Sequence, residues 1–488
     1  MSINFLRGKI KVMNEVRTRF APSPTGFLHI GHLRTALFSY ALARSLGGVF
    51  VLRIEDTDKK REVAGSVENI KQALKIFGIT YDEGPDIGGP YGPYIQSQRL
   101  DLYKRKAEEL INKGNAYYCF CTEERLEKIR TEQKAKKLQP MYDGACRKIE
   151  IDVARKRIQK GEKYVIRLKV PQNRTLTVND DILGEIKWES NTVDDQVLLK
   201  SDGFPTYHLG VVVDDVAMKI THITRGFEWL SSVPKHLLLF EAFGYKVPVM
   251  AHLPLILDPS GGKLAKRKGA VSTKEFLDEG YLPEALLNFI MLLGWSPKDD
   301  REIFSLQEFI KLFTLDRLNK ANPVFNREKL DWFNGVYLRK KTDQELVSLI
   351  KPFLKTKIED SLIEKIIPLV KDRLVKLTDF ETLAGPILKT CTTIDPSCLS
   401  SVKKEHLEGA TKVLGDVSDW KLEKINEKLT ALIKESGWKT GDFYMSLRIA
   451  ICGCKITPPI NETIVILGKE ETLLRLEKMP MQLHTPRV

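Results

Sequence analysis

"FAPSPTGFLHIGHLRTALFSYAL", residues 20–42, runs a Pro- and Gly-rich turn into two histidines three residues apart, then into a helical pattern. Leu33, Ala36, Leu37, Tyr40 and Ala41 recur at i, i+3, i+4, i+7 and i+8, which predicts an amphipathic helix beginning near His32. The next segment, "GGVFVLRIED" (47–56), is a Gly-punctuated apolar run ending in acid, the pattern of a buried parallel strand. Turn, helix and strand in this order predict an α/β domain. His29 and His32 then have three readings: core packing, metal ligation, or donors to a phosphate. A metal needs further ligands, and no nearby Cys or His supplies them. Packing stays open for any isolated pair of histidines. The phosphate reading rests on the setting, because free N–H groups and the helix dipole at a helix N-terminus attract anions. Gly31 lets a ligand come close to the backbone.

Working outward, residues 97–116 and 122–137 read as helices. From about 163 to 225 short β-like runs take over: "KYVIRLKVP", "GEIKWES" and "DDQVLLKSDG". "VMAHLPLIL" (249–257) is a further apolar strand. Beyond residue 270 nearly every segment has helical period, as in "EALLNFIMLLGW", "DSLIEKIIPLVKDRLVKLTDF" and "EKINEKLTALIKESG". The order is an α/β half, an insertion, a second α/β half and a helical C-terminal region, with no internal repeat.

Bulk composition narrows the function. The 488 residues are too many for one ordinary core. Lys+Arg 77 against Asp+Glu 64 leaves +13, which fits a polyanionic partner, nucleic acid first, or simply a basic protein. Seven cysteines, an odd number, argue against a disulfide framework. No run of 18 apolar residues predicts a membrane span, and "MSINFLRGKIKVMNEV" is too polar for a signal-peptide core. Met13 is a second candidate start. A cytoplasmic, reduced protein without a membrane partner is expected.

Two other clusters carry chemistry. "DPSGGKLAKRKGAVS" (258–272) gathers Lys263, Lys266, Arg267 and Lys268 in a Gly-rich loop just after an apolar strand. It is either a solvated basic loop or a flexible one that closes over a triphosphate. "CFC" (119–121) and "YDGAC" (142–146) bring Cys119, Cys121 and Cys146 into consideration as thiolate ligands of Zn²⁺, or as three reduced, partly buried cysteines. Cys452 and Cys454 lie in a helical pattern and read as core; Cys391 and Cys398 carry no signal.

Taken together, "RFAPSPTGFLHIGH", "LRIEDTD", "DGFPTYHLGVVVDD", "ITRGFEWLSSVPKH" and "KLAKRKGAVS" resemble the bacterial-type glutamyl-tRNA synthetases, a class I aminoacyl-tRNA synthetase family. The resemblance covers about residues 16–485. It implies an α/β Rossmann-like catalytic domain with an inserted α+β acceptor-binding domain, followed by an all-α anticodon-binding region. On this chain the divisions fall as an N-terminal extension (1–15), first catalytic half (16–110), insertion (111–200), second catalytic half (201–270), helical stem-contact domain (271–338) and helical anticodon-binding region (339–488). The implied reaction activates L-glutamate with ATP and Mg²⁺ to glutamyl-adenylate. The glutamyl group then passes to the 2′-hydroxyl of the terminal adenosine of tRNA(Glu), with tRNA(Gln) as a second acceptor left open. A monomer is expected.

The resemblance also implies roles. His29, Gly31, His32, Glu228, Leu255, Lys263 and Lys266 would hold ATP, with both histidines and both lysines acting on its phosphates. Ala265 stands where the family usually has Ser, so a hydroxyl donor is missing, and Ala265→Ser is expected to raise the adenylation rate. Arg19, Ala21, Ser23, Glu55, Tyr207 and Arg225 would line the glutamate pocket. Arg19 is expected to read the side-chain carboxylate bidentately and Glu55 to take the ammonium. Arg19 and Arg225 in structural ion pairs with the "EDTD" or "VVVDD" loops is the alternative. Some relatives carry zinc at the cysteine cluster; here Lys148 replaces a histidine ligand and Tyr142 is the implied fourth ligand of a structural Zn²⁺. Arg373 lies where relatives place an anticodon-reading arginine.

A glutaminyl-tRNA synthetase would carry β-barrels in place of the helical half. A tRNA-modifying glutamyl-queuosine enzyme would lack that half. A catalytically silent tRNA-binding paralogue is opposed by the intact His29, His32, Lys263 and Lys266. Without the motifs, a basic nucleotidyltransferase is the fallback.

Overall fold

Strands Arg17–Phe20 and Val49–Leu52 pair in parallel, from Arg17 opposite Val49 to Phe20 opposite Leu52. The pairing continues into their outgoing loops, where Arg53 N–H donates to Phe20 O and Glu55 N–H to Pro22 O, both at 3.0 Å. This computed structural model describes residues 15–264, 272–388 and 396–483. Expectations for residues 1–12, Ala265, Lys266, Arg267, Lys268 and Cys391 therefore lie outside the described residues.

Helix Ile30–Ser45 joins the two strands. The expected apolar stripe is buried, but so are Arg34, Phe38, Ser39, Leu42 and Ala43. The helix is therefore buried nearly all round rather than amphipathic. Its second face is covered by Phe309 and Phe313, whose rings lie 6.0 and 5.3 Å from Phe38.

The second α/β half repeats the parallel theme: His222–Gly226 pairs with Val249–Leu253. It adjoins the first half where Thr221 N–H donates to Arg17 O at 2.9 Å. Between the halves, Ala116–Cys119, Val165–Leu168 and Val197–Leu199 form an antiparallel sheet. The hairpin Thr175–Asp180/Gly184–Glu189 does something the sequence reading missed. It extends the catalytic sheet, with Asp180 opposite Met250, so the sheet runs across the expected boundary of the insertion. Alternation along Thr175–Asp180 buries Leu176, Val178 and Asp180. Insertion and catalytic residues share one core, with Val51, Tyr103, Ile166, Leu176, Leu209 and Leu239 in the same cluster.

"VVVDD" is not a loop, as expected, but part of helix Tyr207–Ala217, and Asp214 and Asp215 are buried in it. This compact unit runs to Phe276 and resumes at Leu287–Asn326. A second unit takes Leu277–Leu286 and the chain from Arg327 onward. The second unit is helical and has two cores, one around Ile363, Ile367 and Phe380, the other around Leu429, Phe443 and Leu447. "DSLIEKIIPLVKDRLVKLTDF" is not one helix: Asp360–Val370 ends in a 3₁₀ turn, Lys371–Arg373, and a new helix starts at Asp379. Leu422–Ser436 matches its predicted helix. Cys452 is buried at the end of helix Thr440–Cys452, whereas Cys454 lies beyond it and donates to Ile456 O. Among the described residues no helix is long and apolar enough to cross a membrane.

Candidate active site

A cavity of about 420 Å³ opens at the carboxyl ends of the parallel strands, where open α/β sheets bind ligands. Arg19, Ala21, Ser23, His29, Gly31, His32, Glu55, Tyr207, Arg225, Glu228, Leu255 and Lys263 all line it. Every described residue assigned to ATP or glutamate from the sequence is thus on its wall. Lys266 is outside the described residues.

One end is built by the start of helix Ile30–Ser45. His29 is the N-cap, with φ −107° and ψ 167°, and its Nδ1 accepts a long hydrogen bond, 3.4 Å, from His32 N–H. That contact leaves the neutral ring's proton on Nε2, which is a donor. The two imidazoles stack with centroids 3.7 Å apart. Gly31 makes room for this: a Cβ there would lie 3.1 Å from His29 Cε1. His32 keeps an exposed edge at the cavity mouth, yet the surrounding protein desolvates it. Desolvation, and secondarily the Lys263 charge, lower its pKa to about 4. Lys263 also lies 3.6 Å from Glu228 Oε1, but both side chains are solvent-exposed and such a pair contributes little.

The other end is a buried charge network. Arg53, fully buried, donates to Asp215 Oδ1 at 2.7 Å and to Glu55 Oε1 at 3.0 Å. Asp215 also accepts from Arg19 Nε at 3.1 Å and Nη2 at 3.4 Å. Asp214 accepts from Arg99, Tyr103 and Gln96 at 2.7, 2.7 and 2.9 Å. Burial raises the Glu55 carboxyl pKa, and Arg53 only partly offsets this. Asp215 ends below the usual carboxylate range: burial opposes ionisation, but Arg19 and Arg53 outweigh it. The ion-pair alternative for Arg19 is therefore realised, with Asp215 of "VVVDD" as the partner.

Arg225 differs. Its Nε donates to His252 Nε2 at 2.9 Å, and its Nη1 lies 3.1 Å from Tyr207 Oη and 3.2 Å from His236 Nδ1. Its Nη2 is buried with no hydrogen-bond partner among the described residues. Among the described residues Arg225 has no carboxylate against it, so it brings an uncompensated positive charge to the cavity wall, where an anionic ligand would offset it. Trp229, whose ring centroid is 4.2 Å from that of Tyr207, closes this side. Sequence reading missed Trp229, His236 and Arg53, although all stand inside the quoted motifs. His252 was hidden in an apolar strand pattern.

The cysteine cluster lies elsewhere in the same unit. The sulfurs of Cys119, Cys121 and Cys146 lie within 4.8 Å of one another, with Cys121 and Cys146 at 3.6 Å. Tyr142 Oη is 3.4 Å from Cys119 Sγ and 3.3 Å from Cys121 Sγ, and accepts from Cys146 N–H at 2.9 Å. Zinc–ligand bonds of about 2.0–2.3 Å require tetrahedral edges of about 3.5–3.8 Å, so the donor set fits such an ion. Burial opposes the Cys119 thiolate, but hydrogen bonds, Tyr142's first, outweigh it and lower its pKa; burial raises Cys121 to about 11. Arg373 lies in the second unit, exposed, with Nη1 donating to Thr457 O at 2.8 Å.

A turn carrying two histidines into a helix, at the carboxyl edge of a parallel sheet with a lysine on the same cavity wall, is an α/β arrangement suited to an anionic ligand. Residues 15–332 match the catalytic domain of tRNA synthetases class I (E and Q), and residues 345–480 match an anticodon-binding domain. The chain belongs to the class I tRNA synthetases (E and Q). Its full-length relatives include the glutamate–tRNA ligases of Finegoldia magna, 44% identical over 96% of this chain and 99% of that one, and Treponema denticola, 42% identical over 95% and 99%. A crystal structure of a glutamate tRNA ligase from Elizabethkingia meningosepticum in complex with its amino acid superposes with TM-score 0.90 at 38% identity, over 96% of this chain and 100% of that one. The glutamate–tRNA synthetase of Elizabethkingia anophelis gives 0.89 at 38% identity, over 96% and 99%.

Proposed function

We propose that this chain is a glutamate–tRNA ligase. In the first step a carboxylate oxygen of L-glutamate attacks the α-phosphorus of ATP, forming glutamyl-adenylate as pyrophosphate leaves. In the second, the 2′-hydroxyl of the terminal adenosine of tRNA(Glu) attacks the glutamyl carbonyl and AMP leaves. Neither step needs a covalent enzyme intermediate, so positioning and charge stabilisation carry the catalysis.

In this reading His29 Nε2–H, His32 and the N–H groups of the first helical turn hold the triphosphate. Lys263 and Lys266 stabilise the departing pyrophosphate, and Glu228 and Leu255 contact the nucleotide. Mg²⁺ arrives with ATP. Glu55 accepts the ammonium, with Tyr207, Ala21 and Ser23 around it. Arg225 is the better-placed fork for the substrate side-chain carboxylate, and Arg19 supplies a second positive charge whose present counter-ion is Asp215. The buried Arg225 on the cavity wall, with no carboxylate against it among the described residues, is the observation that carries the choice of an anionic amino acid. Glutamine would leave that cation without a counter-charge, a loss of about 2–5 kcal/mol.

The three cysteines and Tyr142 would hold a structural Zn²⁺ that braces the insertion. Arg373 and the basic helices of the second unit are assigned to tRNA, where backbone contacts supply affinity and unstacked loop bases supply sequence. A monomeric, cytoplasmic enzyme is the simplest form of this reading. Aminoacylation of purified tRNA(Glu) and tRNA(Gln), each with labelled glutamate and labelled glutamine, tests it. Glutamate on tRNA(Glu) is the expected product, and charging of tRNA(Gln) as well would define a non-discriminating enzyme. No glutamate on either tRNA would contradict the proposal.

A further inference from the structure

A guanidinium has five donors and no acceptor, so every imidazole nitrogen that faces Arg225 must offer a lone pair. Two histidines do so, and each has its other ring nitrogen engaged. His252 meets Arg225 Nε through Nε2 at 2.9 Å, while its Nδ1 lies 2.6 Å from Asp180 Oδ2. A carboxylate accepts, so the proton of His252 is on Nδ1 and the lone pair on Nε2 faces Arg225. His236 meets Arg225 Nη1 through Nδ1 at 3.2 Å, and its Nε2 lies 3.2 Å from His208 Nδ1. Asp180 is itself fixed from several directions. Its Oδ1 accepts from Ile182 N–H and Leu183 N–H at 3.0 and 2.9 Å, and its Oδ2 from His252 N–H at 3.1 Å. Asp180 and His252 are both buried, and neither lines the cavity.

We propose that Asp180 and His252 are positioning residues for Arg225, setting one imidazole tautomer so that the guanidinium is locked in the orientation that reads the amino-acid substrate. The arrangement reaches into the insertion, because Asp180 ends the strand of the hairpin Thr175–Asp180/Gly184–Glu189. Arg225 is thereby held by a residue that the expected domain boundary places outside the catalytic halves. Burial, aided by the Arg225 charge, keeps His252 below its ordinary pKa despite Asp180, which is consistent with a neutral ring. The proposal rests on the reading of Arg225 as the residue that binds the glutamate carboxylate.

The test is a set of KM and kcat values for glutamate and ATP in aminoacylation, with thermal unfolding followed in parallel. Asp180→Asn preserves shape and an acceptor for the hairpin turn, but turns an N–H toward His252 and drives its proton to Nε2, against Arg225. His252→Asn keeps a group near Asp180 but does not reach Arg225, whereas His252→Gln can again present an oxygen to Arg225 Nε. The expected result is a glutamate KM raised about 10- to 100-fold in Asp180→Asn and His252→Asn, with ATP KM unchanged and His252→Gln closer to wild type. Glutamate KM unchanged in these variants, or glutamate and ATP KM rising together, overturns the positioning role. Arg225→Lys separates the two claims. If it leaves glutamate KM unchanged, the reading of Arg225 fails and this proposal with it. If it raises KM while the Asp180 and His252 variants do not, only the positioning role fails.

Discussion

Replacing Asp215 with Asn is the sharpest perturbation of the buried network, because the side chain keeps its size and loses only its charge. Three guanidiniums, Arg19, Arg53 and Arg99, meet three carboxylates, Glu55, Asp214 and Asp215. Asp215 serves two of the cations, Arg53 at 2.7 Å and Arg19 at 3.1 Å, and is buried. Asp215→Asn leaves one positive charge uncompensated and points an amide N–H at a guanidinium. Breaking a buried pair in this way costs about 3–5 kcal/mol. At about 2.1 cal/mol/K of unfolding entropy per residue, a unit of about 300 residues shifts by about 1.6 °C per kcal/mol, so the transition of the catalytic unit should fall by about 5–8 °C. Calorimetry with circular dichroism as a second probe reads this directly. The pH dependence has a defined sign. The folded-state pKa of Asp215 is lowered, so its stabilisation is fully present above the ordinary carboxylate value and is lost as pH falls through the folded one. Asp215→Asn should therefore flatten the acid limb of the stability profile. Removing Arg19 as well, in R19M/D215N, takes away both members of one pair and should recover much of the stability without restoring glutamate charging. A melting temperature for Asp215→Asn within about 1 °C of wild type would refute the reasoning.

The remaining expectations concern the other parts of the site. His32, with its pKa lowered to about 4, is neutral in the free enzyme near pH 6, and a bound triphosphate should raise that pKa by countering Lys263. ATP binding should then take up protons increasingly as pH falls below about 6.5; calorimetric titration in buffers of different ionisation enthalpy reads the uptake, and His32→Gln should remove it. Tyr142→Phe should weaken zinc retention and lower the melting temperature of the unit that contains the insertion while leaving three thiolates, and metal analysis of reduced protein should give stoichiometric zinc in the wild type. No zinc in the wild type would dispose of the site. Gly31→Ala should fold, since alanine favours a helix, yet push the His29 ring and raise ATP KM about ten-fold or more; an unchanged ATP KM would remove His29 from the phosphate site.

The parts of this site that were legible in sequence are those with a local cause. "HIGH" follows a turn and opens a helix, so the N-cap that the structure shows at His29 reads directly from the order of residues. Tyr142 is four residues before Cys146 and was placed with the cysteines by the resemblance; the hydroxyl lies against two of the sulfurs. What did not read was long-range. Helix Ile30–Ser45 shows an apolar stripe, but its full burial depends on Phe309 and Phe313, more than 250 residues away in the chain. Arg53 and Asp215 are 162 residues apart, and no local pattern pairs them. Asp180 sits in an alternating strand and His252 in a continuously apolar one, patterns that announce burial but not partnership, and the parallel pairing of Asp180 with Met250 is what brings them together.

The central claim is that a cationic pocket built on Arg225 selects an anionic amino acid for activation. The direct measurement is kcat/KM for charging tRNA(Glu) with glutamate and with glutamine, in the wild type and in Arg225→Leu. The account expects the wild type to prefer glutamate by at least about 30-fold, the low end of a 2–5 kcal/mol loss, and Arg225→Leu to lose most of that preference through glutamate KM. A wild-type enzyme that charges both amino acids alike, or an Arg225→Leu variant that keeps full discrimination, would contradict it.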